Sequence, residues 1–385
     1  MLEAAVLRRL LRTGSKVAFG DGAGVPADAA PVLSAVAAEV GDVELLLGWL
    51  PGPFPDLDVS AFRSVRAFMG GYGHRRPIDQ GGVSYIPVRL GAVPALLQGP
   101  LRPDVLVASM RRGSEGGWRF TSEVSWQRAA VDAGAVVAAL ERPASPCADA
   151  GPPVSADRVV VLGESPNPPA DVDWAPPSDT DRAIAERVVP LLPDGVRLQV
   201  APGPIGQAVL ESLRRPVQLD TGVLTDAVVA LAERGLLAAD PVTPYLAGTS
   251  RLYLWADGRE IVHGLEYTHD PVRLSAGRPF VAVHTALQLD VHGQPNVESV
   301  GGSALAGIGG QPDYAYAAAR SAAGLSVLAV PTTRRGHRTL VEQLDGAAST
   351  PSHDVDVVAT ELGVADLRGL DRAGRRRAIA RLWGA

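Results

Sequence analysis

Along VAVHTALQLDVHGQPN, from Val281 to Asn296, apolar and polar residues alternate with a period of two. Odd positions from 281 to 291 read Val, Val, Thr, Leu, Leu, Val, and even positions Ala, His, Ala, Gln, Asp. The pattern predicts a strand with one apolar face and one polar face. The polar face carries His284, Gln288 and Asp290, and a Gly-Gln-Pro-Asn turn follows. Other short β-rich runs are DVLVASM, RVVVLGE, RLYLWAD, LSVLAVP and VDVVATEL. Between them AIAERVVPLL, QAVLESLRR, TDAVVALAERGLL and DYAYAAARSAA have helical periodicity. Strands alternating with helices predict an α/β protein, with mostly parallel sheets flanked by helices.

The chain of 385 residues exceeds what one core usually supports. The Pro- and Asp-rich stretch GESPNPPADVDWAPPSDTD, 163–181, lacks apolar periodicity and reads as a linker. It predicts two domains, 1–172 and 173–385. Their openings are alike: in GSKVAFGDGAGVP and GVRLQVAPGPIG, Gly14 aligns with Gly195, Val17 with Leu198, Phe19 with Val200 and Gly22 with Gly203. Each is a strand, a Gly/Pro-rich turn and an Ala/Leu helix, so the two domains should be similar. In such sheets ligands bind at the carboxyl ends of strands.

Composition narrows the chemistry. A net charge of -6 gives no electrostatic case for nucleic acid. No apolar run reaches the roughly 18 residues of a membrane span, and the opening MLEAAVLRRLLRTGSK reads as an amphipathic helix and not a signal peptide, so a cytoplasmic location is expected. The single cysteine, Cys147, lies in a Pro/Ala/Asp-rich stretch and reads as an exposed thiol. Lys16, the only lysine, makes Schiff-base chemistry improbable. The seven histidines are scattered without metal-ligand spacing, so no metal site is expected. GDGAG at 20–24 follows a strand but lacks the third glycine at the spacing of a dinucleotide loop, and no acidic residue is clearly placed for a ribose. Three glycine-containing loops remain: VAPGPIG with Gly203, GIGGQPDY with Gly307, Gly309 and Gly310, and TELGVADLRG with Glu361 and Gly363. Glycines let backbone N–H groups approach a ligand, and a helix start favours an oxyanion or phosphate.

The segments DRAIAERVVPLLPDGVRLQV, LTDAVVALAERGLL, VESVGGSALAGIGGQPDYAYAAA, LSVLAVPTT and VDVVATELGVADLRG occur in the order found in one family. In them the chain resembles the acetyl-CoA hydrolase and 4-hydroxybutyrate CoA-transferase family of the family I CoA-transferases. The likeness spans roughly residues 175 to 380. It is fainter in the first half, through GSKVAFGDGAGVP, GGVSYIPVRL, DVLVASM and RVVVLGE. The resemblance implies two open α/β domains of the CoA-transferase type, coenzyme A as the thiol of an acyl-CoA substrate, and a possible homodimer. In the family a glutamate on the strand matching AVHTALQLD attacks the acyl-CoA carbonyl, giving an anhydride and then a glutamyl-CoA thioester. Gln288 stands at that place.

A carboxamide cannot run that covalent cycle, because it is neutral and its nitrogen lone pair is delocalised. Other positions also depart from the family. His284 and His269 stand where Asn is usual, Asp220-Thr221-Gly222 replaces His-Thr-Glu, and LERPASPCA replaces a segment like EVNPxMPRT. Asp290, Asn296, Glu298, Gly307, Gly309, Gly310, Glu361 and Gly363 are retained, and with Gly203 they are the expected substrate-binding positions. Three readings follow. In the first, Gln288 and His284 are catalytic. They lie roughly 13 Å apart on one strand face; His284 is a general base for an external nucleophile, Gln288 binds the acyl carbonyl or acceptor, and transfer or hydrolysis is direct. In the second, the protein is a non-catalytic CoA- or acyl-thioester-binding pseudoenzyme or partner subunit. In the third, Glu298, Asp290 or Glu361 replaces the lost carboxylate. Arg334, Arg335 and Arg338 could meet CoA phosphates or lie in a solvated loop.

Overall fold

A computed structural model describes residues 2–113 and 116–384. Met1 and Ala385, the outer limits of the two expected domains, lie outside the described residues. Two compact units are present, Met1–Val172 with Thr243–Tyr267, and Asp173–Val242 with Thr268–Ala385. Residues 243–267 therefore pack with the first unit, although a single cut at 172/173 assigns them to the second.

Short apolar runs make the strands of the first unit. The strands are β1 (Lys16–Phe19), β2 (Glu44–Leu47), β3 (Ser64–Ala67), β4 (Ser84–Tyr85), β5 (Val105–Arg112), β6 (Trp118–Phe120), β7 (Val136–Glu141) and β8 (Val159–Glu164). The central ones, β1, β2 and most of β5, are buried, as in a parallel sheet covered on both faces, while the outer strands β4 and β8 are largely accessible. Their order is β4-β3-β2-β1-β5-β7-β8, with β6 antiparallel to β5 and the other pairings parallel. The chain leaves β1 toward β2 and returns to β1's other side as β5. The strand order therefore reverses between β1 and β5, which opens a crevice at their carboxyl ends. The GDGAG turn lies there.

In the second unit the strands are β9 (Arg197–Val200), β10 (Gln218–Leu219), β11 (Phe280–His284), β12 (Gln288–Asp290), β13 (Pro295–Asn296), β14 (Ser299–Val300), β15 (Ser303–Ala304), β16 (Leu325–Ala329), β17 (Thr333–Arg334), β18 (His337–Arg338), β19 (Leu340–Val341), β20 (Val357–Thr360) and β21 (Gly363–Asp366). The main sheet runs β10-β9-β11-β16-β20-β21, and a smaller one β13-β12-β19. The order reverses between β9 and β11, at Val200 and His284. Gly22 and Gly203, aligned in sequence, both turn the chain with positive φ, 78° and 111°. A side chain is strained there, so each glycine allows the sharp exit from its strand.

Three local expectations change. RLYLWAD is part of a helix, Ser250–Ala256, and not a strand; the Thr249 side chain accepts from the Arg251 N–H at its start. Leu252, Tyr253 and Ala256 are its buried face, a helical spacing that the residue types alone obscured. The alternating run 281–291 is two strands in two sheets: β11 ends at His284, and β12 begins at Gln288. All five residues of β11 are buried, because both faces of the parallel sheet are covered. His284 and Gln288 thus share no strand face. TELGVAD is a β-hairpin in which β21 returns antiparallel on β20, so Glu361 and Gly363 do not lie in a strand-to-helix turn. Cys147 is partly buried.

Candidate functional site

Gln288 is the first residue of β12, opposite Asn296 on β13. The Gly293 turn, with φ 86°, folds β13 back, and Asp290 holds it: one oxygen accepts from the N–H groups of His292 and Gln294 at 2.9 and 2.8 Å, the other from Gln294 Nε2 at 2.8 Å. Asp290 is thereby committed to the turn that sets Gln288 and Asn296 side by side. Asn296 Nδ2 donates to Gln288 Oε1 at 3.2 Å and to the Ser299 carbonyl at 2.7 Å. Its Oδ1 accepts from the Glu298 N–H at 2.9 Å.

The third member was not foreseen. Gln288 Nε2 donates to Asp345 Oδ2 at 2.9 Å, and the Asp345 N–H donates back to Gln288 Oε1 at 3.2 Å. Gln288 is only 8 % exposed, so its amide needs these partners. Asp345 itself is exposed. The arrangement fits an amide at 288, because an ionised carboxylate there could not donate to Asp345.

At the carboxyl ends of β9 and β11 several buried polar atoms have no hydrogen-bond partner among the described residues: Gln199 Oε1, His269 Nε2, His284 Nε2, Thr285 Oγ1 and Tyr314 Oη. Tyr314 bridges the imidazoles, its ring 4.7 Å from that of His269 and 6.4 Å from that of His284. Each orphaned group costs about 1–3 kcal/mol unless a ligand or water completes it. Burial pushes the His284 imidazole down to about 3; burial, then the Arg273 charge, does the same to His269. Both rings are neutral at pH 7, and His284 is too weak a base for the role expected of it. A neutral imidazole still offers one donor and one acceptor. Gly310 makes room for His269: a Cβ there would stand 2.2 Å from His269 Nε2. Glycine at 310, which caps helix Gln311–Arg320, is thus needed for contact and not for φ.

The remaining predicted positions divide. Gly203 precedes helix Pro204–Ser212 beside a small pocket lined by Trp174, Thr221 and Thr225. Gly307 and Gly309 lie in the turn before helix Gln311–Arg320. Glu298 accepts from Ser349 Oγ at 2.7 Å. Glu361 is bound by the N–H and hydroxyl of Thr332, a clamp between neighbouring loops. Asp290, Glu298 and Glu361 each accept hydrogen bonds from neighbouring protein groups. Asp220 is buried and forms a two-point ion pair with Arg273, at 2.6 and 2.9 Å. Arg334, Arg335 and Arg338 sit on an exposed hairpin.

The first unit holds a centre of its own that the sequence reading missed. In the GDGAG turn, Asp21 accepts from Ser125 Oγ at 2.8 Å, the Trp49 N–H at 3.0 Å, Trp126 Nε1 at 2.9 Å and Tyr245 Oη at 2.6 Å. Glu123 accepts from the Gly24 N–H at 3.0 Å and Ser122 Oγ at 2.8 Å. Burial pushes the Glu123 carboxyl up to about 8, and the nearby Asp21 charge adds to the rise. It is therefore mostly protonated at pH 7. A Cβ at Gly24 would fall 2.4 Å from Glu123 Oε1. GDGAG, set aside as a failed nucleotide loop, is a seat for two carboxyls, and its closely spaced glycines were the signal in the sequence. Among the described residues no group of His, Cys, Asp and Glu is arranged to hold a metal, and no helix is long and apolar enough to cross a membrane.

Comparison with known proteins bears on the second unit most directly. Residues 248–382 match the acetyl-CoA hydrolase/transferase C-terminal domain. The 4-hydroxybutyrate coenzyme A transferase of Clostridium kluyveri is 27% identical over 336 residues, covering 83% of this chain and 78% of that protein. The crystal structure of RipA from Yersinia pestis superposes with a TM-score of 0.88 at 20% identity, over 99% of this chain and 93% of that one. A 4-hydroxybutyrate CoA-transferase structure from Porphyromonas gingivalis gives 0.78 at 23% identity, over 98% and 92%. The two structures establish the α/β fold. The matched domain and the Clostridium relative support membership of the acetyl-CoA hydrolase and CoA-transferase family.

Proposed function

We infer, from this likeness to acyl-CoA hydrolases and CoA-transferases, that the protein acts on an acyl-CoA, or a related acyl thioester, by direct transfer or hydrolysis without a glutamyl intermediate. Coenzyme A is then the thiol of the substrate. One observation carries the reading. The side chain at the nucleophile's place is an amide, and the amide form is the one its surroundings require, since it donates to Asp345 while accepting from Asn296 and a backbone N–H. An anhydride at 288 would break all three bonds and would need a carboxylate that is not there. Gln288 instead fixes its neighbours. The neutral imidazoles of His269 and His284, with Tyr314, offer hydrogen bonds to a neutral carbonyl or hydroxyl.

The test is thiol release from a panel of acyl-CoAs, with and without carboxylate and amine acceptors. Release or acyl transfer is expected without any adduct at position 288. A CoA or acyl adduct on the peptide carrying Gln288 would refute the direct route. Binding of CoA without turnover would favour a pseudoenzyme, a reading that the low basicity of both histidines also fits. A homodimer is proposed by the same likeness, and light scattering checks it.

A further inference from the structure

A carboxylate from another part of the chain, Asp345, lies against Gln288. Asp345 lies after β19 in the segment EQLDG, far in sequence from the strand where a nucleophile was expected. Its Oδ2 is fixed by Gln288 Nε2 at 2.9 Å, and its backbone N–H is fixed by Gln288 Oε1 at 3.2 Å. Two bonds from one buried amide hold both the loop and the head group. Position 346 adds to the fit, since a Cβ on Gly346 would stand 2.8 Å from Ser299 Oγ, and glycine lets this loop close on the β13–β14 segment. Asp345 is exposed to solvent, while Asp290, Glu298 and Glu361 are each engaged by neighbouring protein groups. Among these carboxylates Asp345 alone is anchored to Gln288 and open to an incoming molecule.

We propose that Asp345 is the general base of this centre, activating water for attack on a thioester carbonyl, and that Gln288 is its positioning residue. The proposal rests on the acyl-thioester reading above. As water attacks, its oxygen bonds to the carbonyl carbon and its proton passes to Asp345. The tetrahedral oxyanion collapses, the C–S bond breaks and the thiolate leaves. The proton on Asp345 then returns to the thiolate or to solvent. No bond forms between the acyl group and the enzyme, and no co-reactant besides water is needed. A positioned base of this kind commonly contributes 10²–10⁴-fold.

The experiment compares the full-length protein with D345N and D345E, using the acyl-CoA that the wild type turns over best. D345N should lose at least about 100-fold in kcat with KM little changed, as expected for a group acting in the transition state. Its melting temperature should change little, because the Asn side-chain oxygen can still accept from Gln288 Nε2. D345E should recover part of the rate, which a purely structural role would not produce. In water enriched in oxygen-18, multiple-turnover label should enter the product acid and not Asp345. Wild-type turnover with an unimpaired D345N, or label on Asp345, would overturn the base assignment while leaving the thioester reading intact. A wild type that releases no thiol from any acyl-CoA would overturn both.

Discussion

Replacing Gln288 by Glu, which on the proposed reading would put back a carboxylate nucleophile, should first destabilise the second unit. The substitution removes the Nε2 donor to Asp345 and sets two carboxylates side by side where an amide and a carboxylate now meet at 2.9 Å. A hydrogen bond to a charged group contributes about 1.5–3 kcal/mol. Two unit charges about 3 Å apart repel by roughly 5 kcal/mol at an effective dielectric near 20. Asp345 is exposed and can swing outward, which relieves most of the repulsion at the expense of its fixed position. A net loss of about 2–3 kcal/mol remains at pH 8. For a unit of this size each kcal/mol moves the melting temperature by about 2–4 °C, so a fall of roughly 4–12 °C is expected by calorimetry. At pH 5 the two carboxyls can share a proton, the acid replaces the amide as donor, and the gap should shrink to about half or less. The exchanged variant Q288E/D345N restores one donor and one carboxylate and should regain most of the loss at pH 8. If Q288E melts within about 1 °C of wild type at pH 8, or if its deficit is the same at pH 5, the coupling between 288 and 345 is refuted.

Glu123 gives a pH signature in the first unit. Burial raises its carboxyl from the ordinary 4.5 to about 8 in the fold, so the folded state holds the proton more firmly than the unfolded chain. The associated stability is complete below about pH 4.5 and is lost as pH rises toward 8, at up to about 1.4 kcal/mol per pH unit. E123Q, a neutral isostere of the acid, should flatten the decline in melting temperature between pH 5 and 8; parallel curves for variant and wild type would contradict the assignment. Gly310→Ala should cost about 1–3 kcal/mol by driving a methyl into His269 Nε2, measured by denaturant unfolding. H269A in the same chain should relieve much of that loss, and strictly additive effects would show that the contact does not carry it.

The α/β class was legible because strand and helix periods alternate over long stretches, and the repeated opening marked β1 and β9 with their glycine turns correctly. The break at Thr285–Leu287 was not legible: the two-residue period runs through it, and nothing local says that the chain changes sheet. For the same reason the distance between His284 and Gln288 could not be read from an ideal strand. RLYLWAD misled because its aromatic and branched residues suit a strand, while its helix is fixed by the Thr249 cap and by burial. Gln288 stands out in the sequence through the resemblance alone. Its partner Asp345 does not, since 57 residues separate them and only the fold brings them together. Glu123 and Asp21 escaped for a related reason: a carboxyl's burial is a property of the structure around it.

The return of residues 243–267 to the first unit has a consequence for biosynthesis. Tyr245 donates to Asp21, and Val262 forms a single β-bridge with Asp149. A nascent chain emerging amino-terminus first has Asp21 waiting for a hydroxyl more than two hundred residues downstream. The first half cannot reach its final hydrogen bonding on the ribosome until a good part of the second has been made, so neither half is a natural unit of expression by itself.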